Sequence, residues 1–243
     1  MKKQAIVAPG AGEPRRPRRK SIHRRAEILR QARRLFEERG FHETSFDDIA
    51  RAVGIRREGL YYYYGSRAEI LLDLVRPQNE ALVARLAAIV ESGLAPATKL
   101  YVAIKSHLAM FDRTSLDMVM LGIGGPHRRS GDTDVDSVHA ANAPLYRSYQ
   151  DAWIRLVRDG QRDGTFDPGL DAKLTVFAIL GMCNWTGVWL DPDGARTLEN
   201  IAGIFYTLVS GGLLVGDTDG RPVELSDNIL REAEAFEAAF RAS

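Results

Sequence analysis

"TSFDDIARAVGIRREGLYYYYGSR", residues Thr44 to Arg67, joins a short amphipathic run closed by glycine to four consecutive tyrosines. Phe46, Ile49, Ala50 and Val53 recur at offsets of three, four and seven, the spacing of one helical face, with Thr44 as its cap and Asp47 three residues on. Gly54 closes that helix. A third helix begins near Arg57, because Leu60 and Tyr64 are four apart and stack on one face. The tyrosines then separate. Tyr64 joins Leu60 toward a core, where phenylalanine should serve as well, while Tyr61, Tyr62 and Tyr63 spread over the remaining arc.

Upstream, Ile22 to Arg39 reads as a first helix, with Ile28, Leu29, Ala32, Leu35 and Phe36 along one side and Gly40 as its stop. Three short helices with a tight turn between the second and third form a helix-turn-helix. Its outward face carries Arg57, Glu58 and Gly59 beside three phenol rings, whose hydroxyls bond phosphate oxygens while arginine supplies charge. Such a face suits a helix entering a major groove of double-stranded DNA. Glu58 fits if it accepts from a cytosine amino group. An aromatic patch for protein contact is the alternative.

The charge distribution agrees. Residues 1–78 hold 18 Lys+Arg against 10 Asp+Glu, net +8, which leaves 15 against 22, net −7, for the rest of a chain whose total is +1. The basic third is the part suited to a polyanion. Its first stretch contains "PRRPRRKSIHRR", Pro14 to Arg25, and residues 1–20 read as a disordered basic arm for a nucleic-acid backbone or an anionic membrane, or as a solubilising tail. Ile6 and Val7 stand nearly alone before Pro9, so no export signal is expected and the protein is read as cytoplasmic. The single Cys183 excludes an intrachain disulfide, and no cysteine and histidine spacing predicts a metal site.

The segment from Arg24 to Leu72 resembles the DNA-binding domain of the TetR family of transcriptional regulators, running in order through "ILRQARRLFEERGF", "TSFDDIARAVGI" and "GLYYYYGSRAEIL". The resemblance implies DNA contacts at Thr44, Arg57, Glu58, Gly59, Tyr61, Tyr62, Tyr63 and Arg67. Two positions depart from the family pattern. Arg56 stands where a small capping hydroxyl is usual, and Gly59 where Thr or Ser is frequent, so the recognition helix should lack its cap and one contact. A homodimer on a palindromic operator is implied, acting as a repressor.

Beyond Gln78 the pattern is helical throughout, with stretches at 79–92, 97–112, 115–123, 134–162, 170–190, 197–215 and 226–241. Pro77 should end or kink the helix that starts after Ser66. The fold is therefore all-α: a head at 21–66 followed by a helical ligand-binding and dimerisation domain at 67–243. "LTVFAILGMCNWTGVWL", Leu174 to Leu190, has 17 residues without a charge, short of the ~20 a membrane span needs. It reads as a doubly buried helix. Its partner is "TLENIAGIFYTLVSGGLLV", where Ile201, Ile204, Phe205, Leu208 and Val209 form an apolar stripe. The pair resembles the family's two-fold dimer bundle, with Ala178 and Gly181 allowing close approach; burial within one monomer is the alternative.

"LGMCNWTGVWLDPDG", Leu180 to Gly194, resembles a segment of TetR regulators of fatty-acid, aromatic-acid and sterol catabolism, a subset that senses acyl-CoA thioesters. Trp185 and Trp189 read as core or dimer anchors. The ligand pocket is expected among Tyr101, Leu108, Met110, Phe111, Met118, Leu121, Tyr146, Tyr149 and Trp153, with ordinary core as the alternative for the methionine and aromatic side chains. Arg128, Arg129 and Arg147 are candidates for a phosphate or carboxylate. A drug-like hydrophobic ligand is the alternative effector, and a lipophile carrier docking on membrane through the arm is the alternative function.

Enzyme chemistry finds no support in the pattern. His23, His42, His107, His127 and His139 lie in no HExxH or triad-like context, and "GIGG" at Gly122 to Gly125 follows no strand. Asp132, Asp134 and Asp136 begin like a calcium loop but lack its glycine and distant glutamate. No catalysis, metal or cofactor is expected.

Overall fold

The computed structural model describes residues 19–111, 133–191, 194–214 and 226–242. The helix expected at 115–123, the side chain of Phe111, and residues Met118, Leu121, Arg128, Arg129 and Asp132 lie outside what is described, as do Gly122 to Gly125 and residues 1–18. The regular elements are α1 Arg19–Arg39, α2 Phe46–Val53, α3 Arg57–Tyr61, α4 Arg67–Glu91, α5 Pro96–Leu108, α6 Thr133–Arg162, α7 Ala172–Trp189, α8 Leu198–Leu213 and α9 Asp227–Ala242, with a 3₁₀ turn at Ala109–Phe111. Extended pairing among the described residues amounts to one isolated bridge, Phe166 to Leu214.

Two apolar cores organise the described residues. In the head, Ile28, Ala32, Leu35 and Phe36 of α1 meet Phe46, Ile49 and Val53 of α2, Leu60 of α3, and Tyr64. Gly40 and Gly54 sit at φ +82° and +72°, the left-handed conformation that lets each helix stop within one residue. The Gly54 N–H returns to the carbonyls of Ala50 and Arg51.

The cap of α2 lies one residue later than the sequence reading places it. Ser45 accepts from the Asp48 N–H, and the Asp48 carboxylate accepts in turn from the Ser45 N–H, a reciprocal capping box. Thr44 instead donates its hydroxyl inward to the carbonyls of Gly40 at 2.9 Å and Leu35 at 3.3 Å, satisfying the open end of α1.

Pro77 does not end its helix, one of the two outcomes expected of it: α4 runs through it for 25 residues. Proline costs an isolated helix about 3 kcal/mol through its missing N–H and ring clash. Burial on both sides offsets that cost, since Leu74 and Val75 belong to the head's core and Leu86, Ile89 and Val90 to the larger one. At 1.5 Å per residue α4 is about 37 Å long. It lies along α6, which is shared in the same way: Val135 and Val138 close the head's core, whereas Tyr149, Trp153, Leu156 and Val157 enter the larger one. The two cores are therefore threaded by the same pair of helices.

Around α5, which is buried on nearly every side, pack α4, α6, α7, α8 and α9. The C-terminal helix is tied down by Thr98 Oγ1 donating to Glu232 at 2.6 Å and by an ion pair between Arg85 and Glu237. In the protomer α7 is buried on one side only. Val176, Ile179, Leu180 and Cys183 face the core, while Leu174, Phe177, Ala178, Gly181, Trp185 and Val188 form an outward stripe. Ile204 and Leu208 of α8 are also exposed, although Ile201 faces the core. Among the described residues no helix is long and apolar enough to cross a membrane.

Candidate nucleic-acid interface and ligand cavity

The α3 segment is short, and its first residue receives no side-chain cap from Arg56. Backbone bonds from the Tyr63 and Tyr64 N–H groups to the Leu60 carbonyl, 2.9 and 3.1 Å, carry the helical turn to the end of the tyrosine run. The four rings consequently take different environments. Tyr64 is 1% exposed and Tyr62 78%. The half-exposed Tyr61 ring leans on Phe46 at 4.8 Å between centroids. Tyr63 is half-buried, packed against the head's core and edge-on to Tyr62 at 4.9 Å, so its ring contributes to packing as well as to the surface.

Arg57 is exposed beside Tyr61, donating to its hydroxyl at 3.2 Å and to Asp47 at 2.7 Å. The Tyr61 hydroxyl and the Asp47 carboxylate hold the Arg57 guanidinium above its ordinary pKa. A phosphate replacing that carboxylate would keep the arginine's partner and release it from α2. Glu58 is exposed on the same short helix, and Gly59 has room for a side chain, since a Cβ there would meet only Ile55 at 3.7 Å.

Thr44 and Arg67 stand apart from this face. Thr44 is fully buried by its bonds to the end of α1. Arg67 donates to the carbonyls of Phe41 at 3.1 Å and Thr44 at 2.8 Å, lies over the Phe41 ring, and pairs with Asp134 at 3.1 Å. It joins the α1–α2 turn to the first turn of α6. Sequence spacing places both residues near the turn but cannot show which way they point.

The larger domain holds a small recess among α4, α5, α6 and α7, with a free volume of about 30 Å³ and continuous with solvent at its mouth. Leu82, Val83, Leu145 and Leu180 make it apolar, and among the described residues Tyr146 and Tyr149 are the two expected ones that line it. The other expected residues whose side chains are described lie elsewhere. Tyr101 packs edge-on against Tyr206 at 5.7 Å, and Leu108 and Trp153 are fully buried core. Met110 borders a neighbouring groove with Arg85 and Arg241, and Arg147 is exposed on α6.

Four polar residues on the wall were not expected: Asn79, His107, Asn142 and Asn184. His107 Nδ1 lies 2.9 Å from the Tyr149 hydroxyl and Nε2 2.9 Å from Asn184 Oδ1. Burial lowers the His107 pKa to about 4, against the opposing pull of Asn184, so the ring is neutral at physiological pH. Burial also raises the Tyr149 pKa, so that hydroxyl keeps its proton. Two of them have a faint signature: His107 in the apolar run "YVAIKSHLAM", Asn184 inside the uncharged stretch of α7.

Residues 28–74 match the family described as bacterial regulatory proteins, tetR family, and residues 134–213 match the tetracyclin repressor-like C-terminal domain. The HTH-type transcriptional repressor KstR2 of Mycobacterium tuberculosis is 27% identical over 198 residues, covering 78% of this chain and 92% of that one. The structure of that ketosteroid regulator superposes with a TM-score of 0.65 at 24% identity, over 79% of this chain and 96% of the other. AibR, solved with isovaleryl coenzyme A and operator DNA, gives 0.62 at 22% identity over 76% and 97%. FadR of Bacillus subtilis, solved with stearoyl-CoA, gives 0.61 at 19% over 76% and 96%. At these identities the three structures share the fold.

Proposed function

The chain belongs to the TetR family of bacterial regulatory proteins, and on that basis we propose a homodimeric repressor whose grip on a palindromic operator is released by a small apolar molecule, an acyl-CoA thioester being the favoured class. The carrying observation is that the cavity is walled by α4 and α6, the two helices that also complete the head's core. A ligand that displaces either helix moves the head. A differential affinity of about 1 to 3 kcal/mol between fitting and non-fitting head positions is enough for regulation.

In this reading residues 1–20 are a basic arm and 21–66 the reading head, with Arg57, Glu58, Gly59, Tyr61, Tyr62 and Tyr63 meeting DNA and Thr44 and Arg67 shaping the turn behind them. Residues 67–243 bind ligand and pair the protomers. The outward stripe on α7, with Trp185 64% exposed, and Ile204 and Leu208 on α8 together supply a dimer face whose small residues Ala178 and Gly181 permit close approach. The protein works in the cytoplasm, and its polar groups serve recognition rather than catalysis.

The test is selection of duplexes from a random pool by the purified protein, followed by release with stearoyl-CoA or octanoyl-CoA. An inverted repeat with half-site centres ~34 to 36 Å apart, or at a longer compatible spacing, is expected, and acyl-CoA should release it where coenzyme A alone does not. A pool without an enriched sequence would remove the regulator reading. Release by drug-like aromatics but not by acyl-CoA would reassign the effector class.

A further inference from the structure

The polar end of the cavity narrows the ligand class, an inference that rests on the cavity being the effector site. An amide oxygen only accepts, so with Asn184 Oδ1 at 2.9 Å the proton of neutral His107 sits on Nε2, and Nδ1 accepts from the Tyr149 hydroxyl. These groups serve one another. Asn142 differs: it is 3% exposed on α6, lines the cavity, and both its Nδ2 and Oδ1 are buried without a protein partner. A buried amide without hydrogen bonds is costly, and a ligand that supplies them recovers the loss.

We propose that Asn142 is the hydrogen-bonding contact for an uncharged carbonyl, a thioester, ester or amide, carried on an apolar ligand, and that the site rejects the corresponding free carboxylate. Among the described residues no lysine or arginine lines the cavity. A carboxylate entering it would lose its water without gaining a counter-charge. The one side chain there able to acquire positive charge, His107, is held neutral by its burial. A carbonyl oxygen accepting from Asn142 Nδ2 meets neither obstacle, and Leu82, Val83 and Leu180 offer its chain an apolar wall.

The experiment titrates the full-length protein with methyl octanoate, N-methyloctanamide, octanoate and octane, followed by intrinsic tryptophan fluorescence and thermal shift. The ester and the amide should bind about tenfold or more tightly than octanoate, the scale of one well-made hydrogen bond and an avoided charge burial. Asn142→Leu should lose about that factor for the ester and the amide while leaving octane unchanged or tighter. Asn142→Ala is the second variant, removing the amide without adding volume. Equal binding of octanoate and ester, or full ester affinity in both variants, would overturn the assignment while leaving the cavity as a ligand site. Binding of octane without preference for any carbonyl has the same effect. Failure of all four probes to bind would instead remove the effector-site reading itself, and this inference with it.

Discussion

Deleting a single hydroxyl, by Tyr64→Phe, separates two accounts of the tyrosine run. If Tyr64 only fills space, phenylalanine serves equally well, as the helical spacing alone suggests. The structure places its hydroxyl between Arg25 Nε and Asp73 Oδ2, each at 3.0 Å, and Arg25 also lies over the ring at 4.7 Å while pairing with Asp73 at 2.9 Å. Hydrogen bonds to charged partners contribute about 1.5 to 3 kcal/mol when buried, but Arg25 is 52% and Asp73 34% exposed, which reduces the expectation to about 1 to 1.5 kcal/mol. Tyr64→Ala, which also empties a site 1% exposed, should cost about 3 to 5 kcal/mol. Tyr62→Ala, on a ring 78% exposed, should stay within about 0.5 kcal/mol.

Urea unfolding monitored by circular dichroism reads all three, and alkaline pH supplies an independent signature. Burial, together with Asp73, pushes the Tyr64 phenol from 10 to about 12. Between those values the folded protein keeps a proton that the unfolded chain has lost, so this stability is complete below pH 10 and disappears as pH rises toward 12. Tyr64→Phe should remove that slope, and comparison with the parent cancels the other tyrosines. A Phe variant matching the parent in both midpoint and alkaline slope would refute the hydroxyl network. A stable Tyr64→Ala beside an unfolded Tyr62→Ala would refute the register of the whole helix.

Ile204→Glu and Leu208→Glu alter side chains 57% and 65% exposed in the protomer, so the fold should survive while a charge in the proposed dimer face costs several kcal/mol of association. Light scattering should report a monomer, and operator binding should fall. His107 is held neutral down to about pH 4, whereas an unfolded histidine protonates near 6.5; stability is therefore complete above pH 6.5 and should fall by up to about 1.4 kcal/mol per pH unit toward pH 4. His107→Gln should flatten that acid limb in urea titrations at successive pH values. Removing residues 1–20 should weaken binding to all duplexes alike and reduce the salt slope by roughly 0.9 per lost phosphate contact, and an unchanged slope would leave the arm a solubilising tail.

The periodicity from Ile28 to Tyr64 was sufficient for the three head helices, because each exposes one face and buries the other, and the buried positions announce themselves at three- and four-residue steps. The same local logic placed Leu60 and Tyr64 inward, and the family resemblance marked Arg56 as a missing cap. Pro77 shows where local logic stops: its penalty is intrinsic to the helix, but the burial on α6 that overrides it comes from residues more than fifty positions away. Thr44 and Arg67 follow suit, since a hydroxyl or guanidinium at a turn can face outward or brace carbonyls, and only the closed chain decides. In the larger domain, apolar composition identifies helices but not which of their faces meet, so Tyr101 and Trp153 could not be told from a cavity wall. His107, Asn142 and Asn184 come from three separate helices, and no spacing along the chain links them. Their shared polar end exists only because α5, α6 and α7 pack side by side, and burial there makes His107 neutral and leaves the Asn142 amide without a protein partner.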